Sequence, residues 1–212
     1  QFNEVFPAGT KYVAIYYYSE YQYYLLVDDF SFTEPIVLAN DDSQMEAGNK
    51  NTAIIAANAG NPVNVQLAGR TLWKDGYWNT LCLPFDMTEE QVTEQLAPTE
   101  LKELDTAEGT YEHVTGLDET TLYLNFKDAT TISAGVPYII KWDGDGTDNI
   151  VNPVFTGVTI PDTYTDADAI ESALNSAATF GEGMFKGTFS SVSYNTETKS
   201  ILFLGDENTL YW

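Results

Sequence analysis

The sequence predicts a mainly β protein: an antiparallel β-sandwich, jelly-roll or immunoglobulin-like, with two or three short helices. Three observations carry that expectation. Short apolar or alternating runs separated by turn residues recur along the chain, a rhythm that fits antiparallel sheets better than βαβ units. Aromatics make up 14% of the 212 residues and tyrosine alone supplies 14, a bias that suits pleated, half-buried surfaces. Helix-start signals occur in only a few places, and each is followed by a short segment.

From the N-terminus, residues 11–32 read as a strand pair. Tyr12-Val-Ala-Ile-Tyr-Tyr-Tyr18 and Tyr23-Tyr-Leu-Leu-Val-Asp-Asp-Phe-Ser-Phe32 flank the polar turn Ser19-Glu-Tyr-Gln22. Thr33-Glu-Pro35 reads as a linker, dividing the chain into a terminal strand pair at 1–35 and a β-sandwich module at 36–212. Two strands do not make a domain, so the pair reads as the end of a larger sheet. After an acidic loop at 41–49, Asn51 is placed to cap a helix running to Ala59 and stopping at Gly60. Val63, Val65 and Leu67 alternate with Asn64 and Gln66, the pattern of a half-buried strand. The apolar parity then changes between Leu67 and Leu72, and Gly69 offers a bulge to explain it.

The segment 70–85 reads as a β-hairpin closing on Asp75-Gly76, because a type I′ turn needs positive φ at both centres. That turn sets Lys74 opposite Tyr77 and Trp73 opposite Trp78. Alternation then gives one face to Leu72, Tyr77, Leu81, Leu83 and Phe85, a core face. The other receives Thr71, Trp73, Trp78, Thr80 and Cys82. Beyond it, Thr88-Glu-Glu-Gln91 fits a capping box that opens a helix ending before Pro98. Strands are expected at 101–104, 121–126, 136–142, 154–160, 183–194 and 200–204, with a third helix at 166–177.

Charge narrows the function. Nine Lys and Arg against 32 Asp and Glu give a formal net charge of −23. Such a surface repels phosphate backbones and anionic lipid, which argues against nucleic-acid or membrane-surface binding. The only cysteine, Cys82, excludes an intrachain disulfide and, inside an apolar strand, reads as a small buried residue. No apolar run is long enough to span a bilayer, and no stretch of the sequence reads as a signal peptide. A chain opening on Gln1 fits a mature product or a slice of something longer.

Candidate sites follow from residue chemistry. Trp73 and Trp78, with Thr71 and Thr80 beside them, offer a flat apolar platform for the C–H face of a sugar. Tyr77 and Asn79 lie at its rim, on the opposite face by alternation. The same indoles serve equally as packing beneath a loop or helix. Tyr16, Tyr18, Tyr21 and Tyr23 form a second aromatic patch, read first as an interface with a neighbouring module. Asp143, Asp145 and Asp148, in Asp143-Gly-Asp-Gly-Thr-Asp148, space oxygen donors like the start of a calcium loop. A terminal bidentate carboxylate and flanking helices are missing there, so a hairpin turn is the preferred reading. For catalysis the yield is poor. His113 is the only histidine, Gly109-Thr-Tyr-Glu-His-Val-Thr115 around it resembles no nucleophile elbow, and 32 acidic residues deprive any carboxylate pair of weight.

The segments GRTLWKDGYWNTLCLPF (69–85), KELD (102–105), AGVPYIIKW (134–142), IVNPVFTGVTI (150–160) and LGDENTLYW (204–212) together resemble a module repeated in secreted and surface-anchored multidomain proteins of gut Bacteroidetes. The resemblance covers residues 51–212 and implies a β-sandwich with an extracellular or cell-surface location and neighbouring domains in one polypeptide. In similar modules a further strand follows the Asn-Thr-Leu-Tyr segment, whereas this sequence stops at Trp212. Residues 23–32 resemble the last strand of jelly-roll adhesins and carbohydrate-binding modules. That likeness implies a structural calcium at Asp28 and Asp29 and an upstream remainder of the jelly roll. The expected function is a non-catalytic glycan-binding or adhesive module for polysaccharide or host glycan. A structural spacer without a ligand is the first alternative and a glycoside hydrolase fragment the second.

Overall fold

A computed structural model describes residues 34–181, 183–193 and 200–211. The expected strand pair at 11–32, with its tyrosine patch and Asp28 and Asp29, lies outside the described residues. The elements are, in order, β1 (Ile36–Ala39), α1 (Asn51–Ala57), β2 (Pro62–Ala68), β3 (Thr71–Leu72), β4 (Asn79–Cys82) and α2 (Glu89–Gln95). They continue with β5 (Glu100–Leu104), β6 (Gly116–Asp118), β7 (Thr121–Tyr123), β8 (Phe126–Asp128), β9 (Pro137–Lys141), β10 (Ile150–Val151) and β11 (Val154–Thr159). Last come α3 (Ala167–Ser176), β12 (Thr179–Phe180), β13 (Gly183–Met184), β14 (Phe203–Leu204) and β15 (Leu210–Tyr211).

Two sheets dominate. One is four-stranded and antiparallel, in the order β4-β9-β5-β8; the other is three-stranded, in the order β1-β2-β11. Ribbons β3–β10, β6–β7, β12–β13 and β14–β15 complete a mainly β protein of several small sheets. Both larger sheets turn apolar residues into one core. Leu38, Val65, Phe155 and Val158 come from the three strands of the three-stranded sheet, and Leu81, Leu101, Tyr138 and Ile140 from the other. Phe85, in the chain leaving β4, meets Phe155 at 5.1 Å between ring centroids. Ile55 of α1 and Ile170 and Leu174 of α3 join the same cluster.

The helices at α2 and α3 form where their caps direct. Thr88 accepts a hydrogen bond from Gln91 N and the Gln91 side chain accepts one from Thr88 N, a complete capping box. Asp166 caps α3 by accepting from Ala169 N. At α1 the expectation is corrected: Lys50 is the N-cap, and Asn51 is the first helical residue. Its buried side chain is drawn away to β1, where it accepts from Ala39 N at 2.9 Å and donates to Ala39 O at 2.7 Å. It also donates to Phe189 O at 2.7 Å.

Other expectations are corrected as well. Among the described residues every strand pair is antiparallel except β1–β2, which is parallel; the segment 40–61, with α1 inside it, makes the crossover that a parallel pair needs. The change of parity near Gly69 is a turn, because β2 and β3 belong to different sheets and Gly69 holds φ 82°. The strand expected at 121–126 divides into β7 and β8. Asn125 divides it by turning its amide to His113 O while its carbonyl accepts Asp105 N. The long strand expected at 183–194 shrinks to β13. Beyond it Gly187 passes over Cys82 with no room for a Cβ, and Phe185 meets Phe126 edge-on at 6.0 Å. A Cβ at 187 would force that segment off the sheet.

Asn51→Ala is expected to destabilise the protein by about 3 kcal/mol, since it orphans both polar groups of Ala39 as well as Phe189 O. Urea denaturation should show a lower midpoint at unchanged slope. A loss below about 0.5 kcal/mol would refute the role given to this amide.

Candidate functional site

The segment 73–78 departs from a hairpin because its closure is made by one side chain. β3 pairs with β10 and β4 with β9, so no ladder joins β3 to β4. Instead, the Asn79 amide accepts from Trp73 N at 2.9 Å and donates to Trp73 O at 2.8 Å. The expected facing of Trp73 with Trp78, and of Lys74 with Tyr77, is therefore corrected. Inside the loop, Gly76 takes φ 84°, open to glycine at little cost, and the Asp75 carboxylate accepts from Tyr77 N at 3.1 Å.

A second loop, 143–149, clasps the first. Gly146 N donates to Lys74 O at 2.8 Å, Lys74 N donates to the Asn149 side chain at 2.8 Å, and Gly76 N donates to Trp142 O at 3.2 Å. Gly144 lies so close to Lys74 O that no Cβ fits there. A third contact comes from the β14–β15 turn, where the Asn208 side chain accepts from Trp78 N at 2.8 Å. Three loops thus converge on one end of the described unit. A shallow depression of about 270 Å3 beside them is lined by Lys74, Thr99, Trp142, Asp143, Asp145 and Asp148.

The four proposed sugar-binding residues are not brought together as one cross-strand cluster. Trp73 stands out from the loop, 53% exposed. Trp78 is half-buried just before β4, with Lys141 Nζ 5.0 Å from its ring centroid, a cation–π contact. Thr80 is exposed on β4 and its carbonyl accepts from Arg70 Nη2 at 2.7 Å. Thr71 is half-buried on β3, paired with Val151 in the β3–β10 ribbon and so in a different sheet from Thr80. Tyr77, assigned by alternation to the core face, is instead 41% exposed and stands on the loop with Trp73. Alternation ceases to apply there because the strand has already ended.

Beside Trp78, charges run in a line across the four-stranded sheet. Lys141 pairs with Glu100, Glu100 with Lys102 at 3.4 Å, and Lys102 with Asp128 at 2.5 Å. The hydrogen bond from Lys141 holds the Glu100 carboxyl below the usual glutamate range. The 143–149 loop, acidic through Asp143, Asp145 and Asp148, is similarly engaged. Asp145 accepts from Thr147 N at 3.1 Å and from the Thr147 hydroxyl at 2.6 Å, which holds its carboxyl low. Asp148 lies 3.6 Å from Lys74 Nζ. Among the described residues no three His, Cys, Asp or Glu side chains form a metal-holding group.

Two groups with potential reactivity have ordinary structural surroundings. Burial beneath Gly187 pushes the Cys82 thiol up to about 12, far from the thiolate a nucleophile needs. His113 stacks on Tyr123 at 4.2 Å, its Nδ1 3.8 Å from an Asp118 carboxylate oxygen. No helix among the described residues is long and apolar enough to cross a membrane.

The Glu100 shift has a readable consequence. Because its folded pKa is depressed, its stabilising contact with Lys141 is present above the unfolded value and is lost as pH falls through the folded one. Tryptophan emission is expected to change in that acid range, as Lys141 is released over Trp78. Glu100→Gln should show the released spectrum already at neutral pH; an unaltered spectrum and an unaltered acid transition would refute the coupling.

Set against family models, curated proteins and solved structures, the chain matches none of them.

Proposed function

We propose that this chain is a non-catalytic glycan-binding module of an exported, multidomain protein, with Trp73 as its stacking platform and Tyr77 at the rim. The observation that carries the reading is the presentation of Trp73. An indole 53% exposed stands on a backbone clamped at both its N–H and its C=O by Asn79. Exposing so much aromatic surface forgoes the gain of burying it, and a fixed backbone lowers the ordering cost of binding. Carboxylates and carbonyls of the adjoining loops supply acceptors for sugar hydroxyls around that platform. Two sheets sharing one core support a sandwich-like module, and the acidic surface suits an extracellular or cell-surface setting.

A structural spacer is the second reading, and specific observations favour it. Trp142 is buried with its Nε1 donating to Leu96 O at 2.8 Å, and Lys141 covers one face of Trp78. These indoles hold the fold, which among the described tryptophans leaves Trp73 to separate the two readings.

Fluorescence titration with xylans, glucans, mannans and mucin glycans, with and without calcium, tests the proposal. Trp73→Ala is expected to weaken binding of the responding polymer at least tenfold, roughly 1.4 kcal/mol. Its stability should stay within about 0.5 kcal/mol of the parent, as for other exposed substitutions. No response to any polymer would leave the spacer reading in its place.

A further inference from the structure

We infer that the Trp73 site selects uncharged glycans and rejects those carrying uronate, sulfate or sialate groups. The inference rests on the glycan-binding reading of Trp73 and adds the chemistry of the ligand. Its first support is the placement of carboxylates. Asp75 belongs to the same loop as Trp73, and Asp143, Asp145 and Asp148 belong to the loop clasped against it through Gly146 N and Lys74 O at 2.8 Å. Asp148 is almost fully exposed, its side chain 96% accessible. Lys74 directly follows Trp73, and its Nζ lies 3.6 Å from Asp148, so the acidic loop is joined to the aromatic one a single residue from the indole, and fixed charges so joined repel an anion bound there.

The second support is that the described cations beside these loops are already in use. An anionic sugar needs a countercharge, most effectively a guanidinium or ammonium free to form short hydrogen bonds. Lys74 faces Asp148 at 3.6 Å. Lys141 lies between Glu100 and the Trp78 ring. Lys102 bridges Glu100 and Asp128. Arg70 is turned to the carbonyl of Thr80 at 2.7 Å. Recruiting any of them would break a contact within the fold, against the background of a net charge of −23. A neutral sugar makes no such demand, since its C–H face stacks on the indole and its hydroxyls donate to the carboxylates.

The experiment compares a neutral polymer that shifts the fluorescence of the intact chain with its own carboxymethylated or sulfated derivative. Affinity for the derivative is expected to be at least tenfold lower in about 20 mM salt, with the gap closing as salt rises to about 500 mM. The double variant Asp145→Asn, Asp148→Asn should narrow the gap at low salt. Equal or tighter binding of the derivative would overturn the inference while leaving glycan binding intact. A gap insensitive to salt would also overturn it, by showing steric rather than electrostatic rejection. If no polymer of either kind shifts the fluorescence, the glycan reading itself falls and takes the selectivity with it.

Discussion

The structure depends on side-chain amides doing the hydrogen bonding of absent strands. Asn51, Asn79 and Gln95 each accept from the N–H and donate to the C=O of a single backbone residue, respectively Ala39, Trp73 and Thr156. A carboxamide offers the donor and acceptor of a peptide group, so it can complete a strand position without supplying another strand. The need arises from the fragmentation of the sheets. Short strands in several small sheets leave many edge groups, and an edge group without a partner is costly inside a protein and adhesive outside it. Gln91 adds a donor to Gly157 O where β11 bulges away from β2. Among the described residues no buried side-chain nitrogen or oxygen lacks a partner.

This device explains which parts of the fold were legible. The segment 70–85 gave the right core face at Leu72, Leu81, Leu83 and Phe85, all buried, although its strand partners were misassigned. Direction of a side chain follows from local alternation, whereas the partner of a strand is a long-range choice that alternation does not encode. The cap of α2 was legible for the same reason, since a capping box is complete within four residues. Asn51 misled because a cap-forming residue type at a helix start has more than one use. Its amide serves β1, which was itself missed: Ile36–Ala39 is four residues long, and its parallel pairing to β2 leaves no turn signal nearby.

The candidate site divides along the same line. An exposed Trp73 was open in the sequence as one of two possibilities, and the exposed rim residue Tyr77 was placed on the wrong face by continuing strand alternation into a loop. Lys141 over Trp78 had no signal, because residues 78 and 141 are brought together only by the β4–β9 register. The clasp between the loops 73–78 and 143–149 was likewise invisible, although both ends of it were marked as turns by Asp-Gly pairs. Those glycines do more than turn. Gly144 is small enough for Lys74 O to approach, and that approach joins the acidic loop to the aromatic one.

Charge and stability are therefore linked at this end of the molecule. A chain with so few cations uses Lys74, Lys102 and Lys141 to hold neighbouring carboxylates and a tryptophan ring in place. Each such contact is worth little singly at an exposed site, but together they occupy the positive groups around Trp73. What remains presented outward there is an indole, a phenol and carboxylate oxygens. That set can stack and accept hydrogen bonds, and the described cations beside it, Lys74 and Lys141, are each paired with a carboxylate. On the glycan-binding proposal, the fold's own use of these lysines is what would restrict the aromatic loop to uncharged ligands.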